Sequence, residues 1–508
     1  MARCSARRSI PIAHVCPTSK AFAMSSLVSA PDQAQLSPMG LVVLLSGVFL
    51  AVMNTFIVNV AIPSIQREFG ASPSEISAVV AFYGLAYGCM LITGGRLGDL
   101  YGRRRMFVWG LSGFTATALV CGLATSAAML IAARIGEGLA AAMMFPQILS
   151  IIRVTAGDEG RRARAFAAFG VALGLSGISG PLIGGALIAA DLFGTGWRLV
   201  FLVSVPIGFA ACAGAIRWLP ETRPDRAARL DVTGALLCAC GLGLLLYALI
   251  EGRHAGWPGW IVGFMIAGGG MLVVFLLDQR GKARRCTNSL IQTDLFAIPA
   301  FSSGTAIAFL FHSTLVGFLF ALALFLQVGL HYSPWQTAWV TVPIPAAFLV
   351  TSLIANRQPQ IYGSLAAMLT GGFLTALGYG GCIVIAMTHH VANGWGLVPV
   401  LLAVGVGQGL FLPPLLNAVL ASTRKDHAGS AAGLVATCQQ VGGAFGVAIV
   451  NMFYFGVSVP VDSPDTADHA YAFMLGMSYQ VGVILLVLGL LPILFGRKFL
   501  GRTVVRRA

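Results

Sequence analysis

Runs of about 20 apolar residues recur along almost the whole chain, and they constrain its fold more than any other feature. A helix needs roughly 20 such residues to cross the hydrocarbon core of a bilayer. The runs extend from Met39 to Gly496 with only short polar breaks. Because they are continuous rather than alternating, they predict membrane-spanning helices and exclude a transmembrane barrel. The predicted spans cover residues 39–62, 76–95, 106–125, 128–151, 165–188, 199–217, 231–250, 260–278, 299–327, 336–355, 362–387, 396–420, 431–455 and 471–495.

The basic residues indicate how these fourteen predicted spans are oriented. The net charge is +14, although only 10% of the residues are charged. If the N-terminus lies inside, 28 of the 32 Lys and Arg residues fall on the cytoplasmic side, Arg67, Arg198 and Arg253 fall outside, and Arg134 lies within a span. This distribution follows the positive-inside rule for an even number of spans. We therefore expect a multi-pass protein of the cytoplasmic (inner) membrane with both termini in the cytoplasm, and no nucleic-acid partner.

Five regions are expected along the chain. Residues 1–38 are basic and lack the apolar core of a signal peptide, so they are predicted to be a disordered cytoplasmic arm, with Met24 as an alternative start. Residues 39–218 and 295–496 each hold six spans, residues 219–294 hold two more, and residues 497–508 form a basic tail. The prediction is an all-α membrane protein with two six-helix bundles and two extra central helices. Glycine-rich patterns in the fifth span, echoed weakly in the thirteenth, support a repeat.

Several chemistries are not expected. The chain has no GxxxxGK[ST] phosphate-binding loop, so ATP is not expected to drive its activity. Its ten cysteines are dispersed without a CxxC pair, and it has no HExxH motif, so no metal, disulfide framework or cofactor is predicted. The remaining possibilities are transport driven by an ion gradient and uncoupled movement of a solute.

The loop between spans two and three, called the latch loop here, contains clustered arginines, glycines and one acid. An acid at a helix end can pair with an arginine or with the N-terminus of a neighbouring helix, and breaking that pair changes the favoured conformation. The alternative is a loop that only sets topology, and both interpretations can hold. The sequence Gly95-Arg-Leu-Gly-Asp99-Leu-Tyr-Gly102-Arg103-Arg104 resembles the GxLaDrxGrk signature of the major facilitator superfamily.

Further stretches resemble the drug:proton antiporters of that superfamily with fourteen spans. Gly177-Ile-Ser-Gly180-Pro181-Leu-Ile-Gly184-Gly185 is similar to their antiporter motif GxxGPxxGG, and Arg134-Ile-Gly-Glu137-Gly is similar to RxxqGxG. Asn54-Thr-Phe-Ile-Val-Asn59-Val-Ala-Ile-Pro is similar to DxTIVNVALP. The resemblance implies the major facilitator fold, proton antiport and multidrug efflux, with drug resistance as its result.

The chain departs from this pattern at two buried positions, with Asn54 where an acid is usual and Glu137 where a glutamine is usual. By helix rise both lie about 12–14 Å from the outer surface. If spans one and four face each other across a cavity, one carboxylate is retained on the opposite wall. Glu137 is then a candidate proton carrier, because burial favours its neutral form and Arg134 its charged form. The alternative is a permanent structural ion pair.

Other polar residues within spans are candidates for a substrate cavity. Besides Asn54, these are Asn59, Gln147, His312 and Gln327. The expected partners are amphipathic small molecules, protons and the bilayer, and a neighbouring gene for a membrane-fusion adaptor would indicate tripartite efflux. The alternative is a facilitator or importer of one polar metabolite. A membrane-embedded enzyme is not supported, because no convincing catalytic Ser/His pair occurs.

Overall fold

The computed structural model describes residues 36–155, 158–221, 230–285, 290–357, 364–388, 394–423, 428–455 and 466–504. The expected arm up to residue 35 and the last four residues of the basic tail lie outside the described residues.

The described residues form fourteen long helices in the predicted order. The first six, α1 to α6, span Pro38–Phe69, Pro73–Tyr101, Arg103–Gly122, Ala127–Thr155, Glu159–Ala190 and Gly196–Trp218. Two more, α7 and α8, span Val232–Gly252 and Gly259–Arg284. The last six, α9 to α14, span Pro299–Gly329, Pro334–Ile354, Ser364–Met387, Gly394–Ala421, Ala428–Tyr454 and Thr466–Val504. Most extend past the predicted apolar runs, since helices continue into their polar caps.

Thirteen of these helices are long and apolar enough to cross a membrane. The exception is α3, whose 20 residues begin with Arg103, Arg104 and Arg105. These arginines lower the hydropathy of a helix that is still about 30 Å long, which matches the hydrocarbon thickness. Because α3 packs against α4 and α6, its position agrees with the predicted third span.

Local sequence signals set several helix ends. Ser72 and Glu75 form a capping box at the start of α2, with Pro73 in its first turn. Gly70 ends α1 in the left-handed conformation at φ 59°.

The contacts divide the helices into two halves and a connecting pair. Helices α1 to α6 pack among themselves, as do α9 to α14, while α7 packs against α8 and also contacts α2 and α13. The halves meet along two seams, α2 with α13 and α5 with α10. Helix α7, with α8 packed against it, therefore lies beside the seam of α2 with α13.

Glycines allow close packing at matching places in the two halves. On α5, Gly180 and Gly184 lie against α1, and Gly185 lies against Pro334 of α10. On α13, Gly442 and Gly446 lie against α9. Glycines without side chains let neighbouring backbones approach closely in membranes. The glycine-rich patterns of the fifth and thirteenth spans thus have the same packing role.

Candidate functional site

An ion pair is buried in the first half. Arg134 Nη1 donates to Glu137 Oε2 at 2.6 Å, and both side chains are 0% exposed. The pair forms within α4 because the two residues are three positions apart and so share a face of the helix. Two charges withdrawn from water at this depth need further partners, since burial carries a large desolvation cost.

Arg134 has partners on three other helices. Its Nε donates to the carbonyl of Val79 on α2 at 3.2 Å, and its Nη2 to the carbonyl of Asn54 on α1 at 3.5 Å. Its guanidinium carbon lies 4.0 Å from the centre of the Tyr83 ring and 5.8 Å from that of Phe201 on α6. Such stacking is favourable for a cation removed from water. Arg134 thus connects α1, α2, α4 and α6.

Only one of the two carboxylate oxygens of Glu137 has a hydrogen-bond partner among the described residues. Oε2 accepts from Arg134 and lies 3.9 Å from the Cys121 Sγ of α3. Oε1 is buried and has no hydrogen-bond partner among the described residues. Buried polar atoms are nearly always paired, and this oxygen is the part of the ion pair that no described side chain or backbone group engages.

Asn54 lies at the level of this pair and is also 0% exposed. Its Nδ2 donates to Ser204 Oγ on α6 at 2.8 Å, and its Oδ1 has no partner among the described residues. The family resemblance implied that spans one and four face each other across a cavity. In the structure α1 and α4 contact each other within one half, and Arg134 reaches the backbone of Asn54.

The other four candidate cavity residues lie on three helices, α1, α4 and α9. Gln147 donates to the Gly94 carbonyl at 2.7 Å and holds α4 against α2. His312 of α9 faces Gly443 of α13. Asn59 and Gln327 are mostly buried, and each has a side-chain atom without a partner among the described residues.

The latch loop has a defined geometry. Asp99 pairs with Arg103 at 3.2 Å, and Arg103 also reaches the Ser150 carbonyl at 3.4 Å near the end of α4. Gly102 joins α2 to α3 at φ 96°, a conformation that side chains strongly disfavour. Arg104 donates to the Ile216 carbonyl of α6. The loop thus ties α2 and α3 to the ends of α4 and α6.

The expected antiporter glycine motif lies on α5 between α1 and α10. Gly177 faces Pro345, Gly180 faces Met53, and Gly184 faces Ile57. Pro181 lies inside the helix. The motif therefore spans both an internal contact of the first half and a seam between the halves.

Sequence reasoning missed four residues that complete the site. Tyr83, Cys121, Phe201 and Ser204 surround the pair and Asn54 from α2, α3 and α6. Apolar and hydroxyl residues are common in spans, so no sequence signal distinguishes them. Within the described ranges, no three His, Cys, Asp or Glu side chains are grouped to hold a metal.

The fold has two helical halves that meet along matching seams, and the first half contains a buried ion pair. Together these features define a multi-pass membrane transporter. The sequence profile of the Major Facilitator Superfamily matches residues 44–447, and the chain belongs to that superfamily. Its members are transporters and not enzymes. The family resemblance read from the latch loop is therefore confirmed.

Curated relatives and solved structures agree with this assignment. The chain is 38% identical over 419 residues to the "Probable actinorhodin transporter" of Streptomyces coelicolor, covering 82% of this chain and 72% of that protein. It is 33% identical to the "Cephamycin export protein CmcT" of Amycolatopsis lactamdurans, covering 88% and 90%. A bacterial homologue of the lysosomal transporter Spinster superposes with a TM-score of 0.65 at 14% identity, covering 91% and 97%. At that identity the structural likeness shows the fold alone.

Proposed function

We propose that this protein exports amphipathic drugs or metabolites across the cytoplasmic membrane in exchange for protons. The observation that carries the proposal is the buried Arg134–Glu137 pair, in which Arg134 Nη1 and Glu137 Oε2 are 2.6 Å apart. The other carboxylate oxygen has no partner among the described residues. A relative named as a cephamycin export protein supports the direction, and that name together with the name of the probable actinorhodin transporter supports a small-molecule substrate. Protons are the proposed driving ion, and ATP takes no part.

Glu137 is the proposed proton carrier and Arg134 its counter-ion. When Glu137 is charged, Arg134 holds it in place. When Glu137 takes up a proton on Oε1, the electrostatic attraction between Glu137 and Arg134 weakens. Arg134 then keeps its contacts with Val79, Asn54 and Tyr83. Because these contacts lie on α1 and α2, protonation would change how strongly α4 is held to its neighbours. A difference in protonation can then bias the position of the two halves.

The proposed orientation places the arginine-rich ends of the helices in the cytoplasm. It rests on 28 of 32 basic residues falling on that side. Reporter fusions after residue 508 and in the loop between α1 and α2 would test it, with opposite signals expected. A membrane-fusion adaptor would bind at the opposite end, and a gene for one beside this gene would support that partner.

The deciding experiment is proton movement in reconstituted vesicles on adding amphipathic cations, neutral compounds and acids. Native protein is expected to release protons when a substrate is added, and Glu137→Gln is expected to lose that release. Glu251→Gln, which removes a carboxylate near the end of α7, is the matched control and should behave as native. Substrate movement without a proton signal in any of the three proteins would instead indicate a facilitator with a structural ion pair.

A further inference from the structure

A groove between α3 and α6 lies outside the proposed transport site. At the arginine-rich end it forms a cavity of about 370 Å³, lined by Arg104, Arg105, Val108, Trp109, Ile216 and Glu221. This volume is within the range of small-ligand sites. The groove opens to the lipid-facing side, because Trp109 is 65% exposed and Ile216 is 58% exposed.

The charged part of the groove suits an anion. Arg105 Nε lies 3.5 Å from Glu221, and Arg104 donates to the Ile216 carbonyl. Each guanidinium carries five N–H donors, and among the described residues no further hydrogen bonds engage these two. Among the described lining residues, two arginines and one glutamate carry one net positive charge. Arginine forks bind phosphate oxygens particularly well.

The apolar part of the groove suits an acyl chain. Arg105, Trp109 and Ser112 follow one face of α3, and Phe209, Cys212 and Ile216 follow the facing side of α6. Ser112 Oγ and Cys212 Sγ lie 3.4 Å apart, so α3 and α6 touch between these two faces. Arg105 and Ser112 are separated by about 10 Å along the helix, so the exposed faces of α3 and α6 continue from the cavity towards the hydrocarbon layer. A tryptophan between these two regions is typical of a membrane interface.

We propose that this groove is a binding site for an anionic glycerophospholipid, with its phosphate on Arg104 and Arg105 and one acyl chain along Trp109 and Phe209. A zwitterionic choline headgroup would bring a cation towards the arginines and should bind less well. Each arginine near a membrane surface contributes about 1 kcal/mol towards an anionic lipid, or about a fivefold change in affinity.

The test is native mass spectrometry of the delipidated full chain titrated with phosphatidylglycerol, with phosphatidylcholine, and with inorganic phosphate. Phosphatidylglycerol is expected to bind best, and Arg105→Gln to lower its affinity about fivefold. Arg153→Gln changes an exposed arginine of α4 at the arginine-rich end of the helices, and it should leave the affinity for phosphatidylglycerol unchanged. Equal binding of both lipids, or an equal loss in the Arg153 variant, would overturn the proposal.

Two further variants keep the test independent of folding defects. Glu221→Gln removes the competing acid, so it should raise the affinity for phosphatidylglycerol about fivefold, a gain that a misfolded chain would not show. Trp109→Ala should weaken phosphatidylglycerol without affecting inorganic phosphate. If inorganic phosphate alone displaces the lipid at equal concentration, the groove is a phosphate site and not a lipid site.

Discussion

The carbonyl of Asn54 accepts a hydrogen bond from Arg134 at 3.5 Å, so the site of the missing family acid and the buried ion pair are in direct contact. The contact is made by the Asn54 backbone, whereas the Asn54 side chain donates to Ser204 at 2.8 Å. We propose that an acid in α1 and an acid in α4 are two ways of supplying the same arginine with a counter-charge.

Glu137→Gln should destabilise the protein more than Arg134→Gln. The first leaves a buried guanidinium that cannot lose its proton, at a cost on the order of 3 kcal/mol, whereas the second leaves a carboxyl that can become neutral. Adding Asn54→Asp to Glu137→Gln should recover much of the thermal stability, and proton coupling with it. Thermal unfolding in detergent and proton release in vesicles measure the two effects. Absence of any recovery would show that the two acid positions are not equivalent.

The contact of α7 with α8 should weaken in acid. Asp231 accepts from the Gly234 N–H at 2.8 Å, from Gln279 at 2.7 Å and from Lys282 at 2.7 Å. Burial raises the pKa of the Asp231 carboxyl, but the hydrogen bonds from Lys282, Gln279 and the Gly234 N–H outweigh burial and hold this pKa below its ordinary value.

A carboxyl with a lowered pKa contributes stability above its unfolded pKa of about 3.9, and the contribution is lost as the pH falls through the folded value. The thermal midpoint of native protein should thus fall more steeply below about pH 4 than that of Asp231→Asn. The asparagine of Asp231→Asn can still cap α7, so Asp231→Ala should lower the free energy of unfolding by a further ~1 kcal/mol. Parallel pH profiles for native protein and Asp231→Asn would contradict this assignment.

Gly185→Ala should disturb the seam between α5 and α10. An added Cβ would lie 2.8 Å from the Pro334 carbonyl oxygen and 2.9 Å from the Ala338 Cβ. Overpacking of this kind lowers the free energy of unfolding by about 1–3 kcal/mol. It should also slow transport, because the two halves must keep this contact while they move. Gly170→Ala on the same helix meets nothing within 4 Å and should be neutral. Equal transport rates for the two variants would remove the seam from the mechanism.

In the latch loop, the backbone and the ion pair should have separable effects. Gly102→Ala places a side chain at φ 96° and should cost about 1–3 kcal/mol of stability. Asp99→Asn removes a half-exposed pair with Arg103, which is worth at most about 1 kcal/mol. If the pair is a latch, Asp99→Asn should nevertheless slow transport, whereas Asp158→Asn, at a more exposed pair with Arg161, should not. Transport rates normalised to folded protein measure this difference.

Much of this architecture was predictable from the residues in order. Apolar runs predicted the helices, because the bilayer requires each span to satisfy its own backbone hydrogen bonds. Only α3 falls short on hydropathy, and its latch-loop arginines explain why. The Arg134–Glu137 pair was equally predictable, because an i to i+3 spacing on one helix makes a contact without help from the rest of the fold.

Contacts between distant residues were decided by tertiary packing alone. Asn54 and Ser204 are 150 positions apart, and their bond depends on how α1 meets α6. Depth along a helix can be read from residue number, but rotation about the helix axis depends on the neighbours. That is why the sequence placed Asn54 and Glu137 at one level, while packing decided that Arg134 reaches the Asn54 backbone inside one half.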